Sequence, residues 1–148
     1  MIRGYIRADS ARRRPFVQAR LTIPSQRIAG DIHFLVDTGA DAMLLAPTDA
    51  LFLRVDLGQL PPGPPTTGVG GMTPTVRADA TLIVGPHAFN LTLRILAPAT
   101  TAQRTALARI PSLLGRDILS EFALFFEERT DRVLLLTPEE VNLLHLPH

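Results

Sequence analysis

Apolar and polar side chains alternate with a period of two along this chain, in short runs cut by Gly and Pro, and that pattern constrains the fold most. Phe16 to Ile23, FVQARLTI, alternates and predicts a half-buried strand. Pro24 and Ser25 begin a turn, and Ala29-Gly30 lies near its end. Asp31 to Asp37, DIHFLVD, puts Ile32, Phe34 and Val36 on one face and predicts the second strand of a hairpin. From Thr73 to Val84, the residues Val76, Ala78, Ala80, Leu82 and Val84 share one parity. Gly85-Pro86 then turns the chain, and Phe89 to Ile95 alternates again, a second hairpin. Ala123 to Phe126 and Arg132 to Leu136 predict two further strands around Arg129-Thr130-Asp131. Successive strand side chains point to opposite faces, so each such run buries one face and wets the other.

Helical signals are few. Pro47 followed by TDALFL predicts a short helix with Thr48 or Asp49 near its start. Ile118 to Phe122 reads as another, and Pro138 opens a third in PEEVNLL. Thr100 to Arg109 is an Ala-rich connection with little pattern, and Leu60 to Gly71, rich in Pro and Gly, reads as a long loop inside one domain. Mostly short strands make an all-β barrel or sandwich. A length of 148 residues fits one domain, 1–148.

Composition narrows the function. With 46% hydrophobic and 20% charged residues, a packed core is expected rather than disorder. The net charge is +1, and all 15 basic residues are Arg, which points to a GC-rich bacterial genome. Arg12-Arg13-Arg14 is the one basic cluster. It has no aromatic or Gly interleaving, so it reads as a solvated loop, and no nucleic-acid partner is expected. There is no Cys, hence no disulfide and no thiolate. His33 has no second His, Cys or Glu at metal-ligand spacing and reads as a plain strand residue, so no metal and no cofactor are expected. No apolar run reaches about 18 residues, so no membrane partner is expected. The start, MIRGYIRADSARRR, lacks the apolar core of a secretory signal, and a free-standing cytoplasmic protein is expected. Met1 to Arg14 reads at most as an edge strand, with Ile2 and Tyr5-Ile6 apolar.

One stretch does not fit a purely structural reading. FLVDTGAD, Phe34 to Asp41, drives an apolar strand into a carboxylate. Desolvating an unpaired carboxylate is costly. Asp37 therefore heads either an ordinary surface turn or a site.

Asp37-Thr38-Gly39-Ala40 after apolar residues resembles the active-site motif of aspartic proteases. Ser112-Leu113-Leu114-Gly115-Arg116-Asp117-Ile118-Leu119 resembles the second hallmark of the retropepsin branch, two apolar residues and Gly before Arg and a short helix. The order of parts is similar too, and the resemblance spans about residues 15–137, leaving 138–148 as a C-terminal tail. It implies a retropepsin-like closed β-barrel, the acid-protease fold, with one or two short helices. It implies an aspartic endopeptidase acting on a peptide or protein substrate, with Asp37 catalytic. The chain holds a single Asp-Thr-Gly and no Asp-Ser-Gly. Two carboxylates sharing a proton therefore require a second copy, a C2 homodimer with Asp37 of each subunit on the axis. Thr38, Gly39, Ala40, Asp41, Leu114, Gly115 and Arg116 are implied supports. Thr38 would place its hydroxyl on the partner's backbone, Gly39 would permit positive φ, and Asp41 would pair with Arg116. TTGVGGMT lies where this family carries its flap, so Gly68, Val69, Gly70, Gly71 and Met72 are implied to cover the substrate, with Pro61 to Pro65 stiffening the base. The alternatives are a non-catalytic dimerisation or peptide-binding module of the same fold, and a narrowly specific autoprocessing protease.

Overall fold

The structure is a computed structural model that describes residues 1–9, 12–68 and 71–148. The first predicted hairpin is present as β3 (Arg12–Ile23) and β4 (Ile28–Val36). The second is β8 (Thr75–Val84) and β9 (His87–Leu96), turned at Gly85, whose φ is +56°. Two short strands complete the main sheet, β5 (Leu44–Leu45) and β10 (Ser112–Leu114). The order β3-β4-β10-β5-β9-β8 closes on itself, because β8 pairs back onto β3 through Arg20–Ile83, Leu21–Leu82 and Thr22–Thr81. The result is a six-stranded barrel with no free edge within that ring.

The 12-residue length of β3 makes closure possible. At about 3.4 Å per residue it is long enough to serve two neighbours on one edge. Its first part pairs with β2 (Tyr5–Asp9) and its later part with β8, while β4 runs along the other edge. A second sheet has the order β1-β12-β11, built from β1 (Ile2–Arg3), β11 (Ala123–Glu127) and β12 (Arg132–Leu136).

The strand faces follow the sequence parity. Ile32, Phe34 and Val36 of β4 and Ala78, Ala80, Leu82 and Val84 of β8 are buried in one hydrophobic cluster, with Val76 packed against it. That cluster also takes Ile2, Leu21, Leu93, Leu114, Ile118 and Leu135, so segments from both ends of the chain share it. Each fully buried Leu, Ile or Phe contributes about 1.5–3 kcal/mol, so the shared parity is what selects this register.

Four expectations need correction. Arg12-Arg13-Arg14 is part of β3, not a loop; its residues pair with Asp9, Ala8 and Arg7. The run is accommodated because Arg13 bonds Asp131 and approaches Glu128 at 3.7 Å, while Arg14 sits 5.8 Å from the centre of the Phe16 ring. Met1 to Asp9 does supply an edge strand as read, but two of them, β1 in one sheet and β2 in the other. Residues 100–109 hold a helix, α2 below. Among the described residues there are four short α-helices, the three read from the residues and one more, where the resemblance implied one or two: α1 (Pro47–Leu53), α2 (Thr101–Ala106), α3 (Arg116–Leu119) and α4 (Pro138–Asn142). The tail helix α4 starts with Pro138 as expected. Thr137 and Glu140 cap it reciprocally, each side chain bonding the other's backbone N–H. None of the described helices is long and apolar enough to cross a membrane.

Candidate active site

Strand β4 ends at Val36, and the chain leaves the barrel through Asp37 to Asp41. What holds this loop is β10, which lies parallel to β4 on one side and antiparallel to β5 on the other. The Asp37 amide donates to the carbonyl of Leu114 at 3.1 Å. Farther along, the Arg116 and Asp117 amides donate to the carbonyls of Ala40 (2.8 Å) and Asp41 (3.2 Å). Two segments far apart in sequence are thus joined at three backbone positions. The loop also closes on itself: the Gly39 amide donates to Asp37 Oδ1 at 2.9 Å and the Ala40 amide to the Asp37 carbonyl at 3.2 Å. This answers the desolvation problem raised by the sequence. Asp37 is half-buried, and a backbone N–H compensates one of its oxygens.

Gly115 is what allows the two segments to meet. A Cβ there would lie 2.6 Å from the carbonyl carbon and oxygen of Ala42 and 2.9 Å from its Cα. Only a residue without a Cβ fits against that backbone. Gly39 has a different role from the one expected, since its φ is not positive. A Cβ at Gly39 would sit 3.2 Å from Asp37 Oδ1, so its smallness favours the carboxylate's bond to the Gly39 amide. Arg116 and Asp41 form an ion pair, Nη2 to Oδ1, with both side chains largely exposed. Such a pair contributes at most about 1 kcal/mol in water, so the backbone bonds of Arg116 and Asp117 carry the stitching. Asp117 is exposed but its carboxylate is engaged locally, its Oδ2 accepting the Met43 amide at 3.1 Å and its Oδ1 the Ile118 amide at 3.0 Å. Leu114 is buried, while Thr38 is exposed and makes no hydrogen bond among the described residues.

The Gly-rich loop forms a hairpin arm, β6 (Thr66–Gly68) and β7 (Gly71–Thr73), with Gly68 paired to Gly71. Val69 and Gly70, expected at its tip, lie outside the described residues. Gly71 has φ +84°, a conformation that favours glycine. The Pro-rich base is laid against β8: the Arg77 amide donates to the Pro61 carbonyl at 3.0 Å, and Thr75 Oγ1 donates to the Pro64 carbonyl at 2.6 Å. Beneath the arm is a cavity of about 170 Å³, bounded by Thr66, Thr67 and Gly68 above and by Leu44, Leu107 and Leu113 below. Leu113 is paired with Leu44 and precedes the residue that binds the Asp37 amide. Leu113 thus connects the cavity's lining to the strand that holds the Asp37 loop. The cavity's size suits one apolar side chain, since a cavity of about 150 Å³ can hold benzene. Met72 does not line it. Its carbonyl instead accepts Gln103 Nε2 from α2 at 3.1 Å.

Sequence reasoning missed two contributors. Gln103 ties the arm to α2, and its Oε1 accepts the Ala99 amide at 2.8 Å. The available signal was Thr100 three residues before Gln103, a helix-start pattern: Thr100 Oγ1 does accept the Gln103 amide at 3.1 Å. Ser112 is fully buried, donating to Asp49 Oδ2 at 2.6 Å and accepting the Ala46 amide at 2.8 Å. It fastens the start of α1 to β10, and nothing local in the sequence announces that partner. Among the described residues no group of three or more His, Asp or Glu side chains is placed to hold a metal ion.

No family model matches the chain, and no curated protein matches it by sequence. Solved structures do. A retropepsin-like aspartic protease from Rickettsia conorii is similar at TM-score 0.54 and 21% identity, over 88% of this chain and 87% of that one. The EIAV protease, complexed with the inhibitor HBY-793, is similar at TM-score 0.52 and 21% identity, over 77% of this chain and 92% of that one. At this identity the likeness concerns the backbone alone: a mostly β chain with a closed six-stranded barrel and few short helices, which is a retropepsin-like fold.

Proposed function

We propose that a chain with this fold is an aspartic endopeptidase in which two copies, related by a two-fold axis, each contribute Asp37. The observation that carries the reading is the half-buried Asp37 carboxylate, held by the Gly39 amide on a loop stitched to β10 and α3. One chain supplies one such carboxylate, and one carboxylate cannot act as acid and base at once. Two at close range cannot both ionise, so the pair keeps a single shared proton. The ionised member takes a proton from water, whose oxygen attacks the peptide carbonyl carbon. The protonated member gives its proton to the carbonyl oxygen. The resulting tetrahedral diol collapses as the C–N bond breaks: the pair gives its proton to the nitrogen and takes one from a diol hydroxyl, whose oxygen re-forms the C=O bond. The water thus ends as the new carboxyl and amine, and the shared proton is restored.

The other parts fit that chemistry. Gly68 and Gly71 with Met72, on the arm, would close over an extended peptide and exclude water. Ala40, Leu114 and Gly115 keep the loop close to the barrel, and Arg116 with Asp41 braces its outer end. One exposed strand supports pairing with a second copy. Among the described residues β11 pairs with β12 alone, which leaves its other edge open, and its Leu124, Phe125 and Phe126 are exposed on its two faces. An open strand edge with exposed apolar faces favours pairing with another strand, and a second β11 is antiparallel to the first under a two-fold axis. Residues 1–148 act as one domain in this reading.

The test is cleavage of an unbiased peptide mixture from about pH 3 to pH 8 by the wild type and Asp37→Asn, with molecular mass measured at the same concentrations. Cuts made by the wild type and lost in a dimeric Asp37→Asn are expected, strongest on the acid side. Activity should also fall on dilution below the dimer dissociation constant. Full activity in a demonstrated monomer would refute the shared site. A folded dimer that cuts nothing would turn the reading to a peptide-binding module or a protease restricted to its own precursor.

A further inference from the structure

The arm β6–β7 carries a polar pair on its underside. Thr66 and Thr73 are cross-strand partners and share one face; Thr73 is buried and Thr66 half-buried. Thr67 and Met72, on the other face, are exposed, and the Thr67 hydroxyl donates to Met72 Sδ at 3.3 Å. Thr66 Oγ1, by contrast, is buried and has no hydrogen-bond partner among the described residues. Leaving a buried hydroxyl unpaired is costly, and folded chains keep few of them.

Below the arm lies an apolar floor apart from the main core. Leu44, Leu96 and Leu107 are buried in a cluster of their own, with Ile110 and Leu113 packed against it. All five line the cavity of about 170 Å³, which Thr66 and Thr73 line from above. The roof is held over this floor. Gln103 binds the Met72 carbonyl, and Leu107, one helical turn on, donates its amide to the Gln103 carbonyl at 3.0 Å. A water is poorly suited to this space, since it needs about two to four polar partners and the floor offers none. A benzene-sized side chain fills the volume. If it carries one hydroxyl, it also gives Thr66 the partner it lacks; an amide would bring more polar groups than these walls can pair. Thr66 turns about a single bond, χ1, so its hydroxyl can swing to an occupant below it.

A strand row ties the cavity to the candidate site. Val36 and Leu114 are buried in the main core, so Leu35 and Leu113, paired side by side, point to the opposite face. The Asp37 amide still bonds the Leu114 carbonyl, so the alternation runs on and Asp37 falls on the face of Leu35. Leu113 lies about 4.8 Å to the side of Leu35, and Leu35 lies about 7 Å before Asp37. An extended peptide covers that offset, about 8 Å, with about two residues.

We infer that this cavity is a specificity subsite for tyrosine, two residues from the bond over Asp37, and that Thr66 selects Tyr over Phe through its hydroxyl. The inference rests on the peptide-cleaving reading for its substrate and names the side chain that cleft prefers. The arm joins the two, since it roofs the cavity and, in that reading, covers the peptide.

Two measurements test it. The first needs no catalysis: p-cresol and toluene, the side-chain analogues of Tyr and Phe, are titrated into the protein and followed by the methyl NMR signals of Leu44, Leu107 and Leu113. The wild type should bind p-cresol about fivefold more tightly than toluene, the worth of one hydrogen bond. Thr66→Val should bind toluene at least as tightly as p-cresol, and Thr66→Ser should keep the p-cresol preference. Equal binding by the wild type, or a preference undiminished in Thr66→Val, would overturn the inference. The second uses short peptide pools, randomised except for one fixed Tyr or Phe. Cuts by the dimeric wild type should fall two residues from the fixed Tyr, about fivefold more efficiently than from Phe, and Thr66→Val should bring that ratio to one or below. Equal cutting of the two pools would overturn the inference while leaving the protease reading intact. If neither pool is cut, the protease reading fails. Fluorescence-polarisation binding of the labelled pools to the wild type then decides the inference: tighter binding of the Tyr pool sustains it and equal binding ends it.

Discussion

Gly115→Ala is the most informative single change, because its cost can be worked from the contacts. The new Cβ would fall 2.6 Å from the carbonyl carbon and oxygen of Ala42 and 2.9 Å from its Cα. Carbon contacts settle at about 3.5–4.0 Å, so the two backbones must part by about 1 Å. No rotamer relieves this, since every clashing atom is main chain. Overpacking of this kind costs about 1–3 kcal/mol. The displaced loop also strains the bonds from the Arg116 and Asp117 amides to Ala40 and Asp41, each worth about 1 kcal/mol. One term opposes. Gly115 has φ −92° and ψ −177°, which alanine adopts freely, so stiffening the unfolded chain returns about 0.4–1 kcal/mol. The clash wins, with a net loss of about 2–3 kcal/mol, or roughly 5–10 °C in Tm for a chain of this length. Thermal and urea unfolding at one fixed protein concentration measure it. If the proposed chemistry holds, kcat/KM falls about 100-fold from a 1 Å misplacement of Asp37. Arg116→Met is the control: it removes only an exposed ion pair and should cost less than about 1 kcal/mol. A Gly115→Ala protein with Tm within about 1 °C of wild type would refute the close-approach argument.

Ser112→Ala leaves the Ala46 amide and the Asp49 carboxylate without their buried partner and should cost about 2–3 kcal/mol in urea unfolding, several times the effect of an exposed Ser→Ala. Gln103→Leu unties the arm from α2. Hydrogen exchange across residues 71–73 should quicken several-fold while global stability changes by less than about 1 kcal/mol; unchanged exchange would show that the tether is idle. Acid should loosen the β11–β12 turn. Glu127 is held below the usual carboxylate range, first by the Thr130 hydroxyl and then by Arg132. A depressed pKa means stability that is present above the unfolded-state value and lost as pH falls through the folded one. The Thr130 amide, which donates to Glu127 Oε2 at 3.2 Å, should lose exchange protection on acidification; in Glu127→Gln that pH step should be absent.

Legibility followed the range of the interaction. The faces of β4 and β8 could be read because alternation is a property of neighbours, and burial of one parity follows from it. The Asp37 loop and the Leu114-Gly115-Arg116 segment stood out as motifs. What stayed hidden was why they meet: the three backbone bonds and the Ala42 contact that excludes a Cβ at 115. Arg12-Arg13-Arg14 misled because charge usually marks a solvated loop. Here β2 supplies a pairing edge, and Asp131 and Glu128, from the far end of the chain, supply the compensating charge. Helix α2 was missed because its six residues are too few to show an apolar period.

The sequence alone therefore determined an all-β architecture, which side of each long strand is wet, and the segment where a carboxylate leaves the core. Those depend on spacings of two to four residues, which covalent geometry converts directly into faces and turns. Tertiary structure decided the rest: barrel closure through β3 and β8, the tie from Gln103 to the arm, the Ser112–Asp49 bond, and the gathering of Leu44, Leu107 and Leu113 under the arm. These join residues tens of positions apart, and their partners are chosen by which surfaces the closed barrel brings within a few ångströms. No local pattern carries that information, because the free energy that selects each pairing exists only once the core has formed.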